Sequence, residues 1–163
     1  MAKIILLLLA FSSTAFYPAW REQKTYAHVM DTEHDLDSME VRKLDSLYED
    51  HEDHTTNEIA LITTAAYYPD SNISTYSTNK LNELGLGRRD INNGLIIVYS
   101  KAHREVRIGT GFGTEKVLTN KIAQQIIDSV MIPAFKSDSI YKGLWLGSKA
   151  IVDFLEIRAN RIK

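Results

Sequence analysis

The sequence predicts a single three-layer α/β/α sandwich, in which a small central sheet that includes a β-hairpin lies between about four helices. Two observations lead to this prediction. Apolar patterns with helical and strand periods follow one another in the order helix, strand, helix, strand, strand, helix, helix, which is typical of a sheet covered on both faces. The length of 163 residues leaves room for one hydrophobic core.

Composition and charge exclude several classes of protein. With 44% apolar and 25% charged residues, the chain has the composition of a globular protein. The formal net charge is −2, from 19 basic and 21 acidic residues, so we expect no nucleic acid partner. The chain has no cysteine, which excludes disulfides, thiolate metal sites and a cysteine nucleophile.

The N-terminus has the pattern of an export signal. Lys3 precedes an apolar run over residues 4–11, and the small residues from Ser12 to Ala15 suit a cleavage site. We interpret residues 1–20 as a signal peptide, or alternatively as an uncleaved N-terminal anchor, because aromatic residues prolong the apolar run. The expected location is extracytoplasmic: periplasmic, secreted or membrane-associated. Only this segment, if uncleaved, is expected to contact the membrane.

The remaining chain divides into three parts. Residues 21–35 are polar and lack an apolar period, so they are predicted to be a linker that packs weakly. Residues 36–157 are predicted to form the folded domain. Residues 158–163 are predicted to be a basic tail.

The first helix is predicted to begin after Asp37, because Asp37 and Glu40 have the spacing of a capping box. It should end near His54, and its apolar face comprises Val41, Leu44, Leu47, Tyr48 and His51. His51 and His54 could share a zinc ion, but the sequence offers no third ligand nearby. We therefore interpret this segment as a solvated helix end with His51 on the apolar face.

The next elements are a strand, a helix and a hairpin. Residues 57–65 predict a mostly buried strand. A second helix, capped by Asp70 or Ser71, should end at the glycines of residues 85–87. The aliphatic run over residues 95–99, followed by a polar turn and residues 106–108, predicts a β-hairpin.

Two helices complete the prediction. An apolar stripe over residues 122–130 indicates a third helix, which Pro133 should terminate. Residues 137–139 offer caps for a fourth helix, whose apolar residues extend from Ile140 to Leu155.

Residues 36–155 as a whole resemble the TPM domain family. The resemblance depends on the order and spacing of several short stretches: Asn57–Ile62, Gly85–Gly87, Asn93–Gly94, Arg104–Ile108, Gly111–Glu115 with Leu118–Thr119, Ile132–Phe135, Asp138 and Tyr141–Gly143. It implies an α/β/α sandwich in a mostly exported protein. It also implies one of three activities: weak phosphatase activity, binding of calcium or another divalent ion, or non-catalytic assistance to membrane complexes.

The chain departs from the family pattern at candidate ligand positions. Asn92 stands where the family often has an aspartate before Asn-Gly, and Asn120 stands where it often has an aspartate after Leu-Thr. Leu84 replaces a frequent tryptophan. Because carboxylate charge strongly influences the affinity of a site for a hard cation, the two asparagines predict a weaker cation site.

A calcium or magnesium site is the first hypothesis for the loops. Its candidate ligands are Asp90, Asn92, Glu115 and Asn120, which converge if the glycine-rich run folds back onto the start of the second strand. Further loop candidates are Asn93, Gly94, Gly111, Gly113 and Asp138. The alternative is that residues 90–94 form an ordinary turn and Asn120 only a helix cap. The alternating glycines could bind phosphate through backbone N–H groups, but close packing of the chain explains them better.

Two functions therefore follow as expectations. The first is an accessory or assembly domain at the cell envelope that binds a membrane-associated protein partner and divalent ions. The second is a weak divalent-dependent phosphatase that would use Asp90, Glu115 and Asp138. The sequence contains no hydrolase motif, so the enzymatic expectation rests on the family resemblance alone.

Overall fold

A four-stranded sheet forms the middle layer of the fold. The structure is a computed structural model that describes residues 27–137 and 139–158. Strands β1 (Val29–Asp31), β2 (Glu58–Thr63) and β3 (Gly94–Ser100) are parallel, and β4 (Glu105–Thr110) pairs with β3 in the antiparallel sense. The strand order is β1-β2-β3-β4, so the predicted hairpin forms one edge of the sheet.

Helices cover both faces of this sheet. Helix α2 (Ile73–Glu83) packs on the face formed by alternate residues such as Ile62, Ile96 and Val98. The intervening residues, including Leu61 and Ile97, face α1 (Ser38–Thr55) and the helices that follow β4. Because β3 is buried on both faces, its sequence is a continuous aliphatic run rather than an alternating one.

The helices after β4 are α3 (Phe112–Glu115), α4 (Asn120–Ile126), α5 (Ile132–Phe135) and α6 (Ile140–Glu156). In the described part of the chain, four helices have seven or more residues, and the three-layer α/β/α fold is confirmed. The capping box at Asp37 and Glu40 forms as predicted. The cap of α2 is Asn72, rather than the predicted Asp70 or Ser71. Among the described residues, no helix is both long enough and apolar enough to cross a membrane.

Pro133 does not terminate the third helix, contrary to the prediction. A π-helical segment, Ile127–Met131, joins α4 to α5, and Pro133 lies in the first turn of α5. The backbone N–H of Ile132 bonds to the carbonyl of Ile127, five residues earlier. A proline interrupts regular bonds to residues four positions earlier, so a local change to the wider π-helix lets the chain continue in the same direction.

Strand β1 lies in the segment that the sequence predicted to be a linker. It pairs with β2 and is held by long-range hydrogen bonds: Leu61 N–H donates to the carbonyl of His28 over 2.7 Å. The imidazole Nδ1 of His28 lies 3.0 Å from the carbonyl of Ile59. These partners are about thirty residues away in sequence, so a local apolar pattern does not show the strand. Residues 1–20, interpreted as a signal peptide, lie outside the described residues.

The interface between α1 and α6 contains one buried polar pair. The hydroxyls of Tyr48 and Ser148 are hydrogen-bonded over 2.5 Å, and both residues have 0% exposure. Burial raises the pKa of Tyr48 well above its usual value, so the phenol stays neutral. Each hydroxyl therefore depends on the other for its hydrogen bond.

We predict that Tyr48→Phe and Ser148→Ala each lower the free energy of unfolding by about 1–2 kcal/mol, because each leaves a buried hydroxyl without a partner. The double variant should lose less than the sum of the two, by about 1 kcal/mol. Urea denaturation of the four proteins measures this coupling. Additive losses would show that the pair contributes no interaction of its own.

Candidate functional site

The glycine-rich run folds back onto the start of β3. The N–H of Gly111 donates to the carbonyl of Gly94 over 2.9 Å, and the N–H of Gly113 donates to the carbonyl of Asn92 over 2.9 Å. The run thereby joins the turn that precedes β3 to helices α3 and α4. We call the surface formed by residues 88–93 and 111–120 the loop face.

The glycines of the run are required by close backbone packing. A Cβ atom on Gly113 would lie 1.9 Å from the carbonyl oxygen of Ile91, and one on Gly111 would lie 2.5 Å from that of Asn92. Gly94 is equally restricted, because its Cβ would lie 2.2 Å from the carbonyl oxygen of Leu86. Their packing role supports the interpretation of a closely packed chain over that of a phosphate-binding loop.

Asn93 holds the turn from inside the molecule. Its side chain is buried, and its Oδ1 accepts from the backbone N–H of Arg88 over 2.8 Å. Its Nδ2 donates to the carbonyl of Thr56 over 2.6 Å and to Oδ1 of Asn57 over 3.2 Å. Asn93 therefore joins the turn before β3 to the junction between α1 and β2, and its amide is used inside the fold.

The acidic candidates of the loop face have partners within the protein. Asp90 forms an ion pair with Arg88 at 2.8 Å, with both side chains at least half exposed. Glu115 Oε1 accepts from the Asn120 amide over 2.9 Å, so these two candidate ligands lie together. Asn92 is exposed and has a left-handed backbone, with φ of 50°.

The geometry of these carboxylates limits what they could bind. Among the described residues, no group of three or more histidine, aspartate or glutamate side chains has an arrangement that could hold a metal ion. Because Asp90 is paired with Arg88, Glu115 is the carboxylate of the loop face that could bind a cation. The side-chain amide of Asn120 lies close to it. Such a donor set fits a weak calcium site and not a tight one. Asp138 lies outside the described residues.

One large apolar side chain projects from the loop face. Phe112 is 81% exposed and lies between Gly111 and Gly113, whose backbone is bonded to the turn before β3. In the sequence, Phe112 contributes only to the resemblance to the TPM domain family, as part of the run Gly111–Glu115. The flanking glycines were the available signal, because they allow the backbone on both sides of Phe112 to approach the carbonyls of Ile91 and Asn92 closely.

The opposite end of the sheet carries a second polar group that the sequence analysis also missed. The Asp31 carboxylate accepts from the Thr63 hydroxyl, and Asp35 forms an ion pair with Lys101 at 2.7 Å. The hydrogen bond from Lys101 to Asp35 raises the pKa of the lysine. Glu33 accepts from the backbone N–H of Lys101. These bonds fasten the loop after β1 to the ends of β2 and β3.

Comparison with known proteins identifies the family. Residues 29–154 match the TPM domain. This chain belongs to the TPM domain family. No curated protein matches the chain.

Solved structures from three bacteria share this fold. The N-terminal domain of a protein from P. gingivalis has 25% identity and a TM-score of 0.75, with 82% of this chain and 85% of that chain covered. The BA42 protein of Bizionia argentinensis has 17% identity and a TM-score of 0.64, covering 74% and 81% of the two chains. An N-terminal domain from Corynebacterium glutamicum has 12% identity and a TM-score of 0.61, covering 88% and 86%.

We predict that Asn93→Ala destabilises this TPM domain by about 2–4 kcal/mol, because it removes a buried side chain and leaves the backbone N–H of Arg88 and the carbonyl of Thr56 without their partner. The measurement is urea denaturation followed by circular dichroism. Asn82→Ala, an exposed change on α2, is the control and should alter stability by less than about 0.5 kcal/mol. Equal stability of the two variants would contradict the role assigned to Asn93.

Proposed function

We propose that this TPM domain is an accessory or assembly domain on the extracytoplasmic side of the cell envelope, where it binds a membrane-associated protein partner through the loop face. The exposed side chain of Phe112 carries the proposal. The pattern of Lys3, the apolar run and the small residues that follow supports the location.

Phe112 has the properties of a binding residue held ready in the free protein. Single exposed apolar side chains are common and need no explanation by themselves. Phe112 differs because the backbone on both sides of it is bonded, through Gly111 to Gly94 at the start of β3 and through Gly113 to Asn92 in the turn before β3. A loop that is ordered before binding loses less conformational entropy when the partner binds, which favours affinity.

The surroundings of Phe112 are those of a small protein interface. Burial of one phenylalanine side chain contributes about 2–3 kcal/mol, and aromatic side chains surrounded by polar ones often contribute most of the binding energy. The exposed polar residues Asp90, Asn92 and Asn120 share the loop face with it. We therefore expect a partner surface with an apolar pocket and a polar rim.

We predict that a photo-crosslinking phenylalanine analogue at position 112 captures one defined membrane-associated protein in cells of the source organism. Phe112→Ala should abolish co-purification of that protein, because it removes the apolar contact. The stability of the domain should change by less than about 0.5 kcal/mol, because the ring is exposed. Mass spectrometry identifies the captured protein.

The control for this experiment is Tyr68. It is 89% exposed and follows β2 at the opposite end of the sheet, so it matches Phe112 in exposure and differs in position. The same crosslinker at position 68 should not capture the partner, and Tyr68→Ala should leave co-purification intact. Capture of the same proteins from both positions, or of background proteins from position 112, would count against the proposal.

Divalent ions are a second ligand proposed for the loop face. Glu115 supplies a carboxylate oxygen and lies beside Asn120, whose amide could turn its oxygen toward a cation after the present hydrogen bond is released. An ion there would bring α3 and α4 together at the edge of the surface that presents Phe112. Binding of a divalent ion is also the first requirement of the alternative function, a weak divalent-dependent phosphatase.

We predict weak calcium binding, with a dissociation constant of about 10⁻⁴ to 10⁻³ M, because one carboxylate and several amide oxygens form the donor set. NMR titration with calcium and magnesium should shift the amides of Asn92, Glu115 and Asn120 in a saturable manner. Glu115→Gln should weaken this binding at least about tenfold, whereas Glu83→Gln on α2 is the matched control and should not.

Two results would contradict the ion proposal. One is a flat titration of the loop-face amides, and the other is equal binding by the Glu115→Gln and Glu83→Gln proteins. Hydrolysis of a phosphoester that is unchanged by Glu115→Gln would separately count against the phosphatase alternative, because that reaction would not use the proposed ligand.

A further inference from the structure

A buried histidine lies at the contact between α1 and α6. His51 is 1% exposed, and the two nitrogens of its imidazole have different surroundings. Nε2 lies 3.2 Å from Oγ1 of Thr55, one turn further along α1. Nδ1 has no hydrogen-bond partner in the described part of the chain, and Oε1 of Glu156 on α6 lies 3.6 Å away.

The hydrogen bonds of Thr55 determine which nitrogen carries the proton in neutral His51. The Thr55 hydroxyl donates its hydrogen to the carbonyl of His51 over 2.6 Å, and its oxygen accepts the N–H of Asn57 over 3.2 Å. The hydroxyl can therefore only accept from the imidazole. It follows that Nε2 carries the hydrogen and Nδ1 has the free lone pair.

Nδ1 of His51 is consequently a buried hydrogen-bond acceptor without a donor. The group beside it, the carboxylate of Glu156, is also an acceptor. The separation of 3.6 Å is too long for a hydrogen bond, but it is within reach of an ion pair. Glu156 is the last residue of α6, and its side chain is 48% exposed, so it can move toward His51 without disturbing the core. A proton from the solvent placed on Nδ1 would give both groups a partner.

We propose that His51 and Glu156 form a pH switch: in acid, Nδ1 takes up a proton and donates it in a hydrogen bond to Glu156, which fastens the last turn of α6 to α1. This inference is independent of the function proposed for the loop face.

The other ionisable groups around His51 leave Glu156 as its acidic partner. From α1 itself, His54 opposes a positive charge on His51, and its own Nδ1 contacts the carbonyl of Asp50 over 2.7 Å. Glu58 at the start of β2 accepts from the backbone N–H of Gly87 over 2.9 Å.

Glu52 follows His51 on α1, and its Oε2 lies 3.8 Å from Nε2 of His28, the residue before β1 begins. The carboxylate of Glu52 therefore lies beside His28. His54, Glu52 and Glu58 therefore have contacts of their own, and α6 supplies the acid that lies beside Nδ1 of His51.

The direction of the pH response follows from burial. Burial lowers the pKa of His51 below its ordinary value of 6.5, and the nearby Glu156 partly offsets this effect. In the unfolded chain the imidazole takes up its proton at a higher pH than in the folded one. The free energy of unfolding therefore falls as the pH drops from the pKa of His51 in the unfolded chain toward its pKa in the folded protein. The contact with Glu156 makes this fall smaller.

The test is an NMR pH titration of the full chain, with the imidazole nitrogens of His51 and the backbone amides of Glu156 and Ile157 observed together. At neutral pH the nitrogen shifts should show the proton on Nε2. On acidification the imidazole and the two amides should change with one common midpoint while the protein stays folded. Glu156→Gln should weaken proton binding by His51 at least about threefold.

Asp153→Asn is the matched control, because Asp153 is an exposed acid one turn earlier on α6 that pairs with Lys149. The Asp153→Asn change should leave the pH midpoint of the His51 titration unchanged. The proposal is overturned if neutral His51 carries its proton on Nδ1, or if Glu156→Gln and Asp153→Asn have the same midpoint. It is also overturned if His51 stays neutral until the whole chain unfolds.

Discussion

The buried side-chain amide of Asn93 is the interaction on which the loop face depends. One side chain bonds to the turn before β3 through Arg88 and to the junction of α1 and β2 through Thr56 and Asn57. Both connections are made inside the fold, where an unsatisfied polar group would be costly. The buried side chain of Asn93 therefore joins the turn to the junction of α1 and β2.

The rest of the loop face is built on this fixed turn. Gly94 at the start of β3 and Asn92 in the turn offer backbone carbonyls to Gly111 and Gly113, and these residues must be glycines because a Cβ atom would collide with the turn. Phe112 lies between them, and its side chain points to the solvent. The same packing that requires the glycines thus accounts for the exposure of the phenylalanine. In this account, the asparagine and the glycines have structural roles, and the side chains that project beyond them are available for binding.

Local signals in the sequence were sufficient for much of the fold. The capping box of Asp37 and Glu40 is formed by neighbours in sequence, and the aliphatic run of β3 with its polar turn is a local pattern. Strand β1 was missed because its three residues are held by partners in β2. Pro133 was misjudged because the response of the backbone, a π-helical segment, depends on packing around the helix.

The candidate site was predicted less completely, for a similar reason. The sequence indicated that Asn92 precedes the second strand, that Glu115 follows the hairpin and that Asn120 opens the third helix, and the folding back of the glycine run places these residues on one face. It could not distinguish Asn93, whose side chain is turned into the fold, from Asn92, whose side chain is exposed. Two adjacent asparagines have the same chemistry, and only the long-range contacts with Thr56 and Asn57 separate their roles.

The proposed binding role requires that the segment bearing Phe112 is ordered before any partner binds. The most direct measurement is ¹⁵N relaxation of the free domain, which gives backbone order parameters for residues 111–113. We expect order parameters of about 0.85, as in rigid secondary structure, because the amides of Gly111 and Gly113 are bonded to the start of β3 and to the turn before it. Values below about 0.6 would show a flexible loop and would contradict the claim.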